Sequence, residues 1–224
     1  LGRADKLPKF NSSNNAADEG NLLHDVMEDY YSHDIEFETQ LREGRKYNNQ
    51  VLTEDLIENL AVPALTMVES VLDQYSVVDF ICEPFVEIVS GEMGGSIDML
   101  AISEDRKTII VLDYKFGMKK VKAEENKQML FYALASREDP KTKSWFDKVE
   151  NLVCVIVQPK CSHTADIWET EASAIQRFSD TLFKALETPD KASSGGHCNY
   201  CPVAATCQTR KTEADSALIM DKKT

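Results

Sequence analysis

The sequence predicts an α/β (α+β) fold, a central mixed β-sheet flanked by helices, and three observations carry it. Apolar residues recur at helical spacing over about Gly20–Ser32 and again from about Thr53 to Tyr75. Between residues 76 and 114 the pattern changes to short runs of β-branched and aromatic residues broken by turn residues. From residue 123 onward a helix, a strand and a further helix alternate. Helices, then a strand meander, then helix–strand–helix place helices on the faces of a sheet.

Element by element, Leu23, Met27, Tyr30 and Tyr31 form the stripe of the first helix. Thr53 and Asp55 supply an N-cap region for the second, which Pro63 kinks or divides. Ser76–Val89 has strand character, and Gly91, Gly94 and Gly95 suit a turn. Ser96–Ile102 is a second strand, Ser103–Lys107 a hairpin turn, and Thr108–Tyr114 a third strand. That third strand is nearly continuously aliphatic, the signature of burial on both faces. A helix at about Ala123–Ser136, a strand at Asn151–Gln158 and a helix at Thr170–Leu186 complete the order. Residues 1–18 form a polar lead-in, 19–190 the core, 191–210 a cysteine-rich metal-binding segment packed on it, and 211–224 a polar tail.

With 224 residues the chain can bury a real core. Its net charge of −13 excludes a broad basic surface for coating nucleic acid. A local basic strip can still track a phosphate backbone, and metal ions neutralise clustered carboxylates. No apolar run approaches the ~20 residues that span a bilayer, and no signal-peptide pattern opens the sequence. The expected location is therefore cytoplasmic, in a bacterial or phage-infected cell, without membrane association.

The chemistry concentrates in two strands. Asp98 lies in Gly95-Ser-Ile-Asp98, and Asp113 and Lys115 lie where the aliphatic strand ends in Asp113-Tyr-Lys115-Phe-Gly117. A spacing of two puts Asp113 and Lys115 on one face, and hairpin pairing brings Asp98 beside Asp113. Two carboxylates suit Mg²⁺ or Mn²⁺, and an adjacent lysine can orient water or steady phosphoryl oxygens. A solvated strand-end pair is the plain alternative for Asp-x-Lys by itself. Charges closing an otherwise aliphatic strand, however, need a partner or a function.

The pattern Gly-x-x-Asp, an aliphatic strand, then Asp-Tyr-Lys-x-Gly resembles the PD-(D/E)XK nuclease superfamily, and more narrowly its RecB-like branch. Two further matches carry the narrower likeness: Gly20-Asn-Leu-Leu-His24 near the start, and Gln128-Met-Leu-Phe-Tyr132 on the helix after the Asp113 strand. The likeness spans most of residues 20–210, and 113–128 with Val155–Lys160 is similar to a phage-borne type. It implies a restriction-endonuclease-like core and a metal-dependent deoxyribonuclease, most often an exonuclease, acting in DNA end processing, recombination or phage DNA metabolism. It implies Asp98, Asp113 and Lys115 as catalytic residues. His24, Asp98, Asp113 and the carbonyl of Tyr114 are then metal ligands, and Gln128 and Tyr132 contact DNA. The alternative is a catalytically silent DNA-binding accessory protein with a structural metal cluster. Lys119, Lys120 and Lys122 form a basic strip that is either a solvated loop or a phosphate-tracking rail.

The chain ends in Cys198-x2-Cys201-x5-Cys207 within a Gly-, Ser- and Pro-containing stretch. Thiolates so spaced select Zn²⁺ or an iron–sulfur cluster; three free thiols are the remaining alternative. In RecB-like nucleases such a tail joins an upstream cysteine to hold a [4Fe–4S] cluster. No cysteine here precedes His24, so Cys82, Cys154, Cys161 or His197 stands as a substitute ligand, unless the ligand lies ahead of Leu1 or the ion is zinc. DNA is the expected partner, with a recombination or replication protein or self-association as further partners.

Overall fold

The computed structural model describes residues 15–89, 93–187, 194–195, 198, 201 and 203–212. Expectations about Gly91, His197, residues 1–14 and residues 213–224 lie outside these. The chain forms two compact units, one of residues 13–179 and one of 1–12 with 180–224.

In the larger unit, α1 (Asn15–His33) and α2 (Phe37–Arg42) precede a small ribbon of β1 (Lys46–Tyr47) and β2 (Gln50–Val51). The helix starts within the expected lead-in because Asp18 is buried and accepts from Asn48 Nδ2 at 3.0 Å. Buried Gln40 donates to the carbonyls of Val26 and Ile35, which ties α2 against α1. Then come α3 (Glu54–Leu56), a π-turn over Ile57–Ala61 and α4 (Val62–Gln74). Thr53 caps α3 as expected, its Oγ1 accepting from the Leu56 N–H at 3.2 Å. Pro63 neither donates to the helix nor tolerates a normal turn beneath its ring. The chain widens ahead of it, the Val62 N–H reaching the Ile57 carbonyl five residues back.

The central sheet has the order β3-β6-β7-β8-β9, formed by β3 (Val77–Cys82), β6 (Met99–Ser103), β7 (Thr108–Tyr114), β8 (Asn151–Val157) and β9 (Asp166–Glu171). Only the β7–β8 pairing within it is parallel, so the sheet is mixed. A parallel neighbour demands a crossover. Here the crossover carries α5 (Lys127–Glu138), which contacts β7. The separate ribbon of β4 (Phe85–Val89) and β5 (Met93–Ser96) also contacts α5.

Burial on both faces of β6, β7 and β8 explains their aliphatic runs. Met99, Ala101, Ile110, Leu112, Val153 and Val155 join Leu22, Leu23, Val26, Met27, Val68 and Val71 in one core. Leu100, Ile102, Ile109, Val111, Leu152 and Cys154 alternate with them and are equally buried. Asp166–Glu171, expected at its end to open a helix, is instead the edge strand β9, and α6 starts at Ser173 (Ser173–Glu187). The other unit holds the later part of α6, a turn around Cys198 and Cys201, and a helical turn over 208–212. No helix among the described residues is long and apolar enough to cross a membrane.

Candidate active site

The single strands expected over 76–89 and 96–102 are each broken, β3 from β4 at Glu83–Pro84 and β5 from β6 at Ile97–Asp98. The two breaks face one another. The Glu83 N–H donates to the Asp98 carbonyl at 3.3 Å, and the Ile97 N–H donates to the Pro84 carbonyl at 3.2 Å. One long hairpin therefore bends between the main sheet and the β4–β5 ribbon. Proline cannot donate to a ladder, which makes Pro84 a natural bend point. Glu83 takes up the bend with φ +48°, a left-handed conformation costing about 1–2 kcal/mol in an L-residue.

That bend gathers the acids. One ligand atom each from His24, Glu83 and Asp98 lies within 4.8 Å of the others. His24 comes from α1, and its Nδ1 is 3.0 Å from Asp98 Oδ1. Its ring meets the rings of Tyr114 and Phe116 edge-on, at centroid distances of 5.9 and 5.5 Å. Asp98 Oδ2 accepts from the backbone N–H of Tyr114 at the end of β7. Tyr114 thus enters the site through its amide.

Asp113 and Lys115 share a face, as their spacing requires, and the Lys115 ammonium lies against Asp113 Oδ2. Gln128 Nε2 donates to Asp113 Oδ1 at 3.1 Å and to the Tyr132 hydroxyl at 2.9 Å. These two residues meet because α5 is fixed at its start, where Asn126 Oδ1 accepts from the N–H groups of Gln128 and Met129. Tyr132 in turn lies over Gly95, where a Cβ would stand 3.1 Å from its ring. The glycine three residues before Asp98 therefore has a steric reason.

Burial and mutual repulsion raise the proton affinity of two of the acids. Burial, then the charge of Asp98, pushes Glu83 up to about 7. Burial and the same Asp98 charge push Asp113 up to about 6, against the opposing ammonium of Lys115. Burial alone would lower His24, yet its hydrogen bond to Asp98 and the charges of Asp98 and Asp113 raise it overall. Asp113 Oδ2 is buried, and apart from Lys115 meets no donor in hydrogen-bond geometry. A divalent ion fits this donor set of hard carboxylate oxygens, which repel one another, plus an imidazole.

Of the residues singled out in the sequence, His24, Asp98, Asp113, Lys115, Gln128 and Tyr132 are brought together. Asp113 sits beside the tight His24–Glu83–Asp98 group instead of within it. Glu83 is the residue that sequence reasoning missed; an acid directly before a proline inside a strand-like run was the available signal. Lys119, Lys120 and Lys122 are exposed on the segment between β7 and α5. In the smaller unit the Gly195 N–H points to Cys198 Sγ at 3.4 Å, and the Cys201 N–H donates to the Cys198 carbonyl at 3.3 Å. The sulfurs of Cys198, Cys201 and Cys207 form no group within 4.8 Å among the described residues. Cys154 is fully buried in β8, and burial pushes both its thiol and that of Cys82 up to about 12. Cys161 donates to the Met118 carbonyl at 3.4 Å.

The fold and site thus define a mixed α/β chain with a half-buried His–acid group at a hairpin bend. The chain belongs to the family described as "Protein of unknown function (DUF2800)", which matches residues 5–224. No curated protein matches it. Among solved structures it is similar to one titled "Crystal structure of SSO0001", with 14% identity over 86% of this chain and 85% of that one and a TM-score of 0.32.

Proposed function

We propose that this chain is a metal-dependent deoxyribonuclease of the PD-(D/E)XK superfamily, in its RecB-like branch, acting as an exonuclease in DNA end processing. The observation that carries the reading is the convergence of His24, Glu83 and Asp98 beside the Asp113–Lys115 pair, with Gln128 and Tyr132 facing that pair. No structural duty explains so many polar groups around the two buried carboxylates, Asp98 and Asp113. Burying charges is costly unless they are paired or hold a metal.

His24, Glu83 and Asp98, with Asp113 alongside, would hold Mg²⁺ or Mn²⁺. When bound, the ion supplies an acidified water and a counter-charge for the phosphoryl oxygens. Lys115, held against Asp113, presents its ammonium to orient the attacking water or to stabilise charge on the phosphate. Gln128 fixes Asp113 through Oδ1 and donates its other amide hydrogen to the Tyr132 oxygen, which leaves the Tyr132 O–H as the donor beside the carboxylate to receive the DNA backbone. The Tyr114 N–H locks Asp98 in one orientation, leaving Oδ1 for His24 and the cation.

Cys198, Cys201 and Cys207 are proposed as ligands of a structural [4Fe–4S] cluster. The cluster reading is supported by the Cys198-x2-Cys201-x5-Cys207 spacing and by thiolate softness, which suit zinc as well. Among the described candidates for a fourth ligand, Cys154 is buried and Cys82 and Cys161 are half-buried.

The test is a Mg²⁺ and Mn²⁺ digestion series on linear and circular, single- and double-stranded DNA labelled at either end. Loss of linear DNA with circular DNA intact is the expected result. Cutting of circles would make the enzyme an endonuclease, and no divalent-dependent loss of any substrate would overturn the reading.

A further inference from the structure

The segment joining Lys115 to Gln128 has no regular secondary structure, yet side chains from beyond β8 clamp its backbone at four points. Gln158, just past β8 and 4% exposed, uses its whole amide. Its Nε2 donates to the carbonyls of Gly117 and Lys119, both at 2.8 Å, and its Oε1 accepts from the Val121 N–H at 3.0 Å. Asp166, at the start of β9, accepts from the Ala123 N–H at 2.9 Å. Asn126 completes the run by donating to the Lys122 carbonyl while capping α5. At the other end, the Lys115 N–H donates to the Val157 carbonyl at 2.8 Å, and Phe116 is buried against the His24 ring.

The clamped stretch has an unusual charge for this chain. Residues 115–123 hold Lys115, Lys119, Lys120 and Lys122 and no acid, in a protein of net charge −13. The backbone that carries them is held, so little ordering entropy is left to lose when an anion binds. We infer that Gln158 is a positioning residue: it fixes residues 117–121 so that the lysines form a pre-ordered phosphate-binding rail leading to Lys115. The inference rests on the nuclease reading and deepens it, because it says how the substrate strand is held on its way to the metal group.

The test uses the full chain in Mn²⁺ with end-labelled linear DNA, comparing wild type, Gln158→Ala and Asp166→Ala, the last releasing the other end of the clamp. Three readouts are taken: kcat and KM separately, the salt dependence of DNA binding in EDTA, and amide hydrogen exchange at Val121 and Ala123. The inference expects faster exchange at Val121 in Gln158→Ala, a KM raised about tenfold with kcat within about threefold, and a salt slope shallower by about 1 for each phosphate that the lysines no longer engage. Adding Lys120→Ala and Lys122→Ala to Gln158→Ala should then cost little more, since the rail is already disordered. Fully additive losses, or a nuclease whose KM and salt slope are unchanged in both clamp variants, overturn the inference alone. A wild-type protein that neither binds nor degrades DNA removes the nuclease reading and this inference with it.

Discussion

Replacing Asp113 with Asn should make the metal-free protein more stable near pH 8 while weakening its response to metal. Asp113 is 3% exposed and is raised from an ordinary 3.8 to about 6, first by burial and then by Asp98. At ~1.4 kcal/mol per decade of proton affinity, keeping it ionised in the folded state costs about 2–3 kcal/mol. The sign follows from the raised value. The contribution is fully present below the unfolded carboxylate's range and is lost as pH rises through about 6. Wild-type apoprotein should therefore weaken between pH 4 and pH 7, with raised Glu83 and His24 acting in the same direction. Asn carries no charge to bury and retains an oxygen for Gln128, while its NH2 takes the place of the oxygen facing Lys115, which offsets part of the gain. Urea unfolding in EDTA across pH 4–8 should show the variant gaining about 2 kcal/mol at pH 8 and almost nothing at pH 4. Mn²⁺ should stabilise the wild type more than the variant, which keeps His24, Glu83 and Asp98 but lacks the neighbouring carboxylate. A variant less stable than wild type in EDTA at pH 8, or a difference independent of pH, would falsify the picture of a carboxylate group waiting for a cation.

Further substitutions probe the supports of the site. Gly95→Ala would press a methyl to 3.1 Å from the Tyr132 ring, so DNA cleavage should fall about tenfold while stability drops by only about 1 kcal/mol. Denaturant unfolding beside the cleavage rate separates the two effects. Asn126→Ala removes the cap of α5 and its tie to Lys122, with an expected loss of about 1 kcal/mol and weaker cleavage through a displaced Gln128. Cys201→Ser should lower the iron content of anaerobically purified protein with loss of its visible absorption; iron unchanged by the substitution would remove Cys201 from the cluster.

Much of the sheet was legible because burial on both faces leaves a plain mark. Thr108–Tyr114 was expected as a strand and is one residue for residue, since each of its positions needs an apolar side chain until Asp113. Asn151–Val157 was visible for the same reason. The edge strand Asp166–Glu171 was not: it is half-exposed, lacks strict alternation because Glu169, Thr170 and Glu171 are consecutive polar residues, and runs directly into α6. The short β1–β2 ribbon left no pattern to read, because two-residue strands have no period.

The candidate site divides along the same line. His24, Gln128 and Tyr132 were reached through the resemblance of Gly20-Asn-Leu-Leu-His24 and Gln128-Met-Leu-Phe-Tyr132 to RecB-like motifs; helical spacing adds only that Gln128 and Tyr132 share one face. Glu83 was not, because its place depends on a hairpin bend that pairs Glu83–Pro84 with Ile97–Asp98 across residues 85–96. A strand-like run was read straight through a proline that in fact breaks it. Gln158 was hidden for a related reason: its three contacts lie 37–41 residues away, in a segment with no regular structure.

The central claim is that the Asp113–Lys115 pair beside the His24–Glu83–Asp98 group cleaves phosphodiesters with a divalent ion. The most direct measurement is the degradation rate of end-labelled linear DNA in Mn²⁺ by wild type, Asp113→Ala and Lys115→Ala, each shown by circular dichroism to be folded. The account expects degradation by the wild type, abolished by EDTA, and losses of a hundredfold or more (about 3 kcal/mol of barrier) in both variants. Undiminished degradation by folded Asp113→Ala and Lys115→Ala would contradict it.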